Sequence, residues 1–348
     1  MLYDMPSLRN LIYHMKYLYL LVSLLFISCQ ISPDKEVYQR SRDNILNVKN
    51  LIKEIDLGDI YLNVWARTLS TDSFLFVSDS RSLEHPINIF DKKTFKHIVS
   101  FGTIGQGPNE LLRASDLYFN KEKRELYVSD WGKRCVWSFQ IDSVITDAYY
   151  EPTEKFDLNN TLLPMQDHFM NDSISYSIIM FTDQKDDFEF HNMTGVVNFK
   201  TGETDIKYYN RDEFHRKQYF LAVSFADSLY AECNSLFDIM SIFDLNGNLL
   251  RTIYGPQWGT DYLECFLQST YTKDYLFCHY SGNLYEEYVK SSKCMIFTKM
   301  GDYIATLETG YRITDISYDN EADRIVFTFD DEIQFGYLDL ESIKPLLK

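Results

Sequence analysis

The stretches Phe74–Asp79 (FLFVSD) and Glu125–Asp130 (ELYVSD) decide the fold, because each is a short run of aromatic and aliphatic residues that ends in Ser-Asp. Runs of this kind predict buried β-strands. Four similar runs follow, and the six centre on Phe76, Tyr127, Tyr176, Tyr230, Phe277 and Val326. By subtraction, consecutive centres are 51, 49, 54, 47 and 49 residues apart. The chain therefore contains a repeat of about 50 residues.

The second part of each repeat predicts an outer hairpin. The six hairpin segments are 87–101, 136–150, 195–209, 240–254, 295–309 and 335–347. Gly202, Gly247 and Gly301 lie where three of these hairpins turn, and glycine accepts the positive φ that tight turns need. Each repeat thus holds about four antiparallel strands, with the run around Phe76 or its equivalent as the inner strand. Six such units predict an all-β, six-bladed β-propeller in which residues 50–57 complete the last blade.

The composition limits the partners. The 348 residues include 34 Lys plus Arg against 51 Asp plus Glu, a net charge of −17. Binding of nucleic acid depends on clustered cations, so a nucleic-acid partner is not expected. The 26 Tyr and 25 Phe suit strands, and they could also line a binding face.

The N-terminus predicts an export signal. Tyr17–Ile27 is an uncharged apolar run of 11 residues, too short at about 1.5 Å per residue to cross a hydrocarbon layer of about 30 Å. Phe26–Cys29 (FISC) resembles the bacterial lipobox, which implies that Cys29 is lipidated and becomes the mature N-terminus. A simple signal peptide with an incidental cysteine is the alternative. Translation could start at Met1, Met5 or Met15.

Three segments follow from this interpretation. Residues 1–29 are the lipoprotein signal peptide, 30–47 a flexible polar tether, and 48–348 the propeller. Gln30 follows the cysteine where lipoproteins of the inner membrane commonly have aspartate, and the resemblance therefore implies an outer-membrane lipoprotein of the cell envelope. The membrane is then a partner through the lipid anchor.

The five other cysteines, at positions 135, 233, 265, 278 and 294, form no CxxC pair and predict no zinc or redox motif. We expect most of them to be buried strand residues that act as small hydrophobic groups. One disulfide remains open, because an exported chain folds outside the reducing cytoplasm.

Two segments resemble known propellers. Glu125–Phe139 (ELYVSDWGKRCVWSF) resembles the NHL-repeat signature, and Phe101–Leu111 (FGTIGQGPNEL) resembles the inter-blade segment of TolB-like six-bladed propeller lipoproteins of Bacteroides-type bacteria. Because that family is mostly of unassigned function, the resemblance implies a fold and a location but no reaction.

Candidate ligand-binding residues lie at strand ends and in one long crossover. Asp79 and Asp130 end equivalent strands on the face where propellers usually bind ligands, and they could ligate calcium as in gluconolactonase-like propellers. Their alternative role is to cap the following turn, with Asp130 also pairing with Arg134. Trp258 and Tyr262, in the crossover between blades four and five, could stack on sugars or anchor a protein.

No catalytic motif is present, since the sequence has no HExxH, no G-x-S-x-G and no complete Asp-box. His279 is the histidine most suited to face the channel, although a strand histidine with satisfied hydrogen bonds is the alternative. We therefore predict a non-catalytic binding or scaffold module for a protein, peptide or glycan, with no catalytic residues, no metal-ligating set and no cofactor other than calcium. The alternative is a calcium-dependent, lactonase- or esterase-like propeller hydrolase.

Overall fold

A computed structural model describes residues 35–157, 163–182, 190–207, 218–260, 263–284 and 292–347. Within them the chain forms six sheets of four or five strands, and the fold is the six-bladed β-propeller that the repeat predicts. Three short strands precede the blades: β1 (Glu36–Tyr38), β2 (Ile45–Asn47) and β3 (Lys53–Glu54).

The blades follow one another along the chain, and each runs from its innermost to its outermost strand. Blades 1 to 3 consist of β4 (Arg67–Ser70), β5 (Phe74–Ser78), β6 (Ile87–Asp91) and β7 (His97–Phe101); β8 (Ala114–Asn120), β9 (Glu125–Asp130), β10 (Cys135–Gln140) and β11 (Thr153–Asp157); β12 (Leu163–Phe169), β13 (Ile174–Thr182), β14 (Phe190–Asn198) and β15 (Glu203–Ile206). Blades 4 to 6 consist of β16 (Tyr219–Ser224), β17 (Leu229–Asn234), β18 (Ile239–Asp244) and β19 (Leu249–Tyr254); β20 (Leu263–Tyr271), β21 (Tyr275–Leu284), β22 (Lys293–Thr298) and β23 (Tyr303–Glu308); β24 (Ile313–Asp319), β25 (Arg324–Phe329) and β26 (Phe335–Asp339).

The apolar runs that decide the fold form the second strand of each blade, which corrects their prediction as inner strands. Strand β5, for example, pairs with β4 on one side and β6 on the other, and all five of its residues are buried. The innermost strands are β4, β8, β12, β16, β20 and β24, which contact one another around the central channel. These strands are hard to recognise in the sequence, because one face of each strand meets the channel and carries polar residues.

Aromatic and aliphatic side chains hold the blades together. Six hydrophobic clusters occur among the described residues, one between each pair of neighbouring blades. Phe101 of blade 1 packs on Phe139 of blade 2 with ring centroids 4.9 Å apart, and Tyr118 of blade 2 stacks on Phe169 of blade 3 at 4.8 Å. Such pairs add about 0.5–1.5 kcal/mol each to the burial of apolar area.

The ring closes through the N-terminal segment, as predicted for residues 50–57. Strand β3 pairs antiparallel with β26 and supplies the fourth strand of blade 6. The hairpin predicted at 335–347 is therefore wrong: β3 occupies that edge of β26, and the chain continues as helix α2 (Leu340–Ile343) and a 3₁₀ turn (Lys344–Leu346). A second 3₁₀ turn, Lys49–Leu51, precedes β3.

The hairpin predicted at 136–150 is also wrong. Helix α1 (Ile141–Thr146) follows β10, and the outermost strand of blade 2 is β11. Ile141 and Val144 are three residues apart and lie on one face of the helix, where both are completely buried against the core between blades 1 and 2. The other four predicted hairpins are confirmed.

The segment predicted to be a flexible tether, 30–47, joins the propeller from Glu36 onward. Strand β1 pairs in parallel with β19 at the edge of blade 4, and β2 pairs in parallel with β23 at the edge of blade 5. Exposed sheet edges carry unpaired backbone groups, which the polar segment can pair without an apolar pattern. The compact unit thus begins at Glu36, and not at the predicted Val48.

Arg42 anchors this segment between the two blades. Its side chain is 5% exposed and forms an ion pair of 2.7 Å with the completely buried carboxylate of Asp238. The guanidinium also lies 5.2 Å from the ring centroid of Phe297 and 5.7 Å from that of Tyr280.

The five cysteines of the blades are buried and free, as expected of strand cysteines. The predicted signal peptide and Cys29 lie outside the described residues and remain predictions. Among the residues that the structure covers, no helix is both long enough and apolar enough to cross a membrane.

Candidate functional site

The channel opens into a cavity of about 360 Å³ on the face where the innermost strands begin and the second strands end. Four arginines line it, although the chain as a whole is strongly acidic: Arg67, Arg81, Arg113 and Arg312. Two carboxylates, those of Glu264 and Asp315, also line this mouth.

Two of the arginines stack on tryptophans. The Arg81 guanidinium lies 5.7 Å from the Trp65 ring centroid, and that of Arg113 lies 5.8 Å from the Trp131 ring centroid. A guanidinium held over an aromatic face keeps its N–H edge available to a ligand. Among the residues covered by the structure, neither Arg81 nor Arg113 has an ion-pair partner.

The other two arginines are already neutralised. Arg67 forms an ion pair of 2.7 Å with Asp116, and Arg312 pairs with Asp330. Arg113 and Arg312 occupy equivalent positions, each directly before the innermost strand of its blade. In each blade the arginine carbonyl accepts the N–H of the residue that directly follows the second strand. That residue is Trp131 in blade 2, at 3.2 Å, and Asp330 in blade 6, at 2.9 Å. Blade 2 therefore has a tryptophan where blade 6 has a carboxylate.

Asp130 builds the blade 2 side of the mouth. Its carboxylate is 1% exposed and accepts five N–H donors. These are the backbone amides of Leu112, Arg113, Gly132 and Lys133, at 2.8, 2.9, 2.9 and 3.1 Å, and Trp137 Nε1 at 3.3 Å. The carboxylate thereby ties the segment that carries Arg113 to the loop that carries Trp131.

Asp79 does the same on blade 1. It accepts the backbone N–H of Asn63 and of Arg81, each at 2.9 Å, and so joins the segment before β4 to the loop after β5. Trp65 and Arg81 lie on these two segments. The two aspartates predicted to bind ligand are thus structural neighbours of the residues that line the mouth.

The calcium role considered for Asp79 and Asp130 does not fit their surroundings. Both carboxylates are buried and already accept N–H donors, whereas calcium needs six to eight converging oxygens. Within the described part of the chain, no three His, Cys, Asp or Glu side chains are arranged to hold a metal ion.

Two buried polar groups at the mouth have no partner among the described residues. His279 lines the cavity and is 2% exposed, and neither of its ring nitrogens has a hydrogen-bond partner. Nε1 of Trp131 is likewise buried without an acceptor. Burial lowers the pKa of His279 to about 3, so at neutral pH its ring is uncharged and offers one donor and one acceptor. The structure thus supports the prediction that His279 faces the channel, but not that its hydrogen bonds are satisfied.

Three carboxyl groups, those of Asp116, Asp167 and Asp315, line a second cavity of about 250 Å³ deeper in the channel. Burial raises the pKa of Asp167 to about 6, helped by the charge of Asp116, while the hydroxyls of Ser177 and Ser129 donate to it at 2.6 and 2.7 Å. Because both hydroxyls donate to the Asp167 carboxylate, they also stabilise its ionised form.

Asp315 lies between the two cavities and lines both of them. Burial raises its pKa to about 6 against the opposing effect of Arg67, and Gln268 Nε2 donates to it at 3.0 Å. The carboxyl groups of Asp167 and Asp315 therefore change charge under mildly acidic conditions. The positive side chains converge at the arginine-lined mouth.

The remaining predicted residues lie away from the mouth. Arg134 is exposed in the turn before β10, at φ 55°, and does not line either cavity. Trp258 is 44% exposed and packs edge-on against Tyr254 and Tyr38, with ring centroids 5.3 and 5.8 Å apart, on the outer edge of blade 4. Tyr262 lies outside the described residues.

Sequence reasoning missed the residues that form the mouth. Trp65, Arg81, Arg113 and Arg312 each lie outside a strand, within three residues of a strand end, in three different blades. The available signal was their position: an arginine or tryptophan directly beside an innermost or second strand points to the channel face.

Comparisons with known proteins show the fold. The chain matches a protein of Bacteroides fragilis described as exported (12% identity, TM-score 0.52, covering 85% of this chain and 88% of the other) and a member of the DUF4221 family from Bacteroides vulgatus (12%, 0.52, 82% and 94%). A luciferin-regenerating enzyme matches with 8% identity and a TM-score of 0.54, covering 82% and 94%. No family model matches the sequence, and no curated protein does. At these identities the likeness defines the class of protein, a six-bladed β-propeller, and nothing finer.

Proposed function

We propose that this chain is an exported lipoprotein propeller of the cell envelope that acts as a non-catalytic binding module, with the arginine-lined mouth as its ligand site. One observation carries the proposal. Arg81 and Arg113 are held over tryptophan rings at the opening of a rigid channel, and neither has an ion-pair partner among the described residues. Functional residues on loops held by a rigid scaffold are typical of binding proteins.

Three features support the proposed location in the cell envelope. The apolar run Tyr17–Ile27 predicts export, the lipobox-like Phe26–Cys29 predicts a lipid anchor in the outer membrane, and one structurally similar Bacteroides protein is described as exported. The segments around 101–111 and 125–139 support membership among the TolB-like and NHL-like propellers.

The partner class remains a protein, a peptide or a glycan. The hydrolase alternative lacks a comparable observation, because Asp79 and Asp130, the carboxylates that the sequence suggests for it, accept hydrogen bonds from backbone amides.

The test is binding of the full chain, purified in detergent, to an array of peptides and glycans. A double variant, Trp65→Ala with Trp131→Ala, removes both stacking platforms, and Trp258→Ala is the matched control on the edge of blade 4. We expect the double variant to lose the ligands that the wild type binds while the control keeps them, with similar thermal unfolding midpoints for all three. Loss of binding in the control alone would contradict the proposal.

A further inference from the structure

The charge distribution at the mouth indicates an anionic ligand. Arg81 and Arg113 present fork-shaped donor edges, which match the two oxygens of a carboxylate. The carboxylates of Glu264 and Asp315 also line the mouth and limit its positive charge, and the net charge of −17 repels anions as well. Because both effects grow with the charge of the ligand, a singly charged carboxylate is favoured over a doubly charged phosphate.

The buried groups beside these arginines require more than a carboxylate. Trp131 Nε1 and one nitrogen of the neutral His279 are donors without an acceptor, and the other His279 nitrogen is an acceptor without a donor. A carboxylate satisfies donors only. A hydroxyl group both donates and accepts, so a ligand with hydroxyl groups beside its carboxylate would satisfy all three atoms.

The size of the cavity limits the ligand. A volume of about 360 Å³ is at the lower end of small-molecule pockets, which suits one or two sugar rings. We propose that the mouth binds a saccharide that carries a carboxylate, with Arg81 and Arg113 holding the carboxylate and His279 and Trp131 bonding to hydroxyl groups. The inference rests on the proposed function and specifies the ligand of the same site.

The test uses isothermal titration of the full chain in detergent with D-galacturonate and D-glucuronate, and with D-galactose and D-glucose as uncharged matches. We expect the acids to bind at least about tenfold more tightly than the neutral sugars, and acetate, which has no hydroxyl group, to bind more weakly than either acid. Oligogalacturonides distinguish the end of a polysaccharide from a free sugar acid as the source.

Variants assign the contacts. Arg81→Gln and Arg113→Gln should each weaken binding of galacturonate at least about tenfold, whereas Arg40→Gln, which removes one exposed positive charge on the N-terminal segment, should leave it unchanged. His279→Phe should weaken the acid sugars but not acetate. Thermal unfolding of each variant shows that it is folded.

The possible results separate the two proposals. Equal affinity for acidic and neutral sugars, or tighter binding of glucose 6-phosphate than of glucuronate, overturns the inference while the mouth remains the binding site. Binding of array ligands that is insensitive to every substitution at the mouth overturns both.

Discussion

Replacing Arg42 by alanine should weaken the propeller by separating its N-terminal segment from blades 4 and 5. Arg42 bonds to Asp238 at 2.7 Å and to Gln39 Oε1 at 2.9 Å, and the side chain of Asp238 is 0% exposed. The substitution leaves that carboxylate buried without its cation. Breaking a buried ion pair by removing one partner costs about 3–5 kcal/mol, which is a large part of the stability of a typical domain.

A double-mutant cycle distinguishes this effect from simple loss of packing. In an Asp238→Asn background Arg42→Ala leaves no carboxylate without its cation and removes a buried guanidinium that has already lost its partner, so it should cost at most about 1–2 kcal/mol there. The free energy of unfolding is measured by urea denaturation at pH 7. Arg40→Ala, at an exposed position of the same segment, should change it by less than about 0.5 kcal/mol. Equal costs of Arg42→Ala in the two backgrounds would refute the reasoning, and a cost below about 1 kcal/mol would return residues 36–47 to the role of a free tether.

Further predictions concern the channel and the buried groups. Because the pKa of Asp315 is raised to about 6 in the fold, its ionisation between about pH 4 and 6 reduces the free energy of unfolding by up to about 3 kcal/mol. In urea denaturation, Asp315→Asn should therefore gain stability relative to the wild type as the pH rises from about 4.5 to about 7.5. Parallel pH profiles of the two proteins would contradict this. Asp130→Ala should lower the free energy of unfolding by at least about 3 kcal/mol, because five N–H groups lose their acceptor, and a neutral result would refute the role given to this residue. EDTA should leave the thermal midpoint unchanged, whereas a fall restored by calcium would revive the metal-dependent alternative. Burial raises the pKa of Cys278 well above its ordinary value, and its sulfur lies 3.9 Å from that of Cys233. Neither buried thiol should therefore react with a thiol reagent before the chain unfolds. Rapid reaction of the native protein would argue against the packing of blades 4 and 5.

The second strands could be predicted because the residues at their centres are buried. In β5 and β25 both faces of the strand pack against neighbouring blades, so their sequences are continuous apolar runs that recur with the blade period. The fold class followed from the period of these strands together with the outer hairpins predicted between them. The innermost strands alternate between core and channel, and β24 (ITDISYD), with its polar residues, carries no comparable signal.

The mouth could not be predicted, because its residues are brought together only when the ring closes. Asp79 and Asp130 stand out at the ends of apolar runs and indicated the face on which the arginine-lined mouth opens, but the residues that line the mouth are their neighbours. Arg81 follows Asp79 by two positions, and Trp131 directly follows Asp130. The N-terminal strands escaped for another reason: each pairs over three residues in parallel with an outer edge, which needs no sequence period.

Hydrogen–deuterium exchange of the full chain, with and without the tightest ligand from the array, tests most directly whether the mouth is the binding site. We expect protection of the backbone amides at 63–67, 79–82, 112–116 and 131–133, which surround the cavity. Protection confined to 36–38 and 252–258, the aromatic edge of blade 4, would contradict the account and place binding at Trp258.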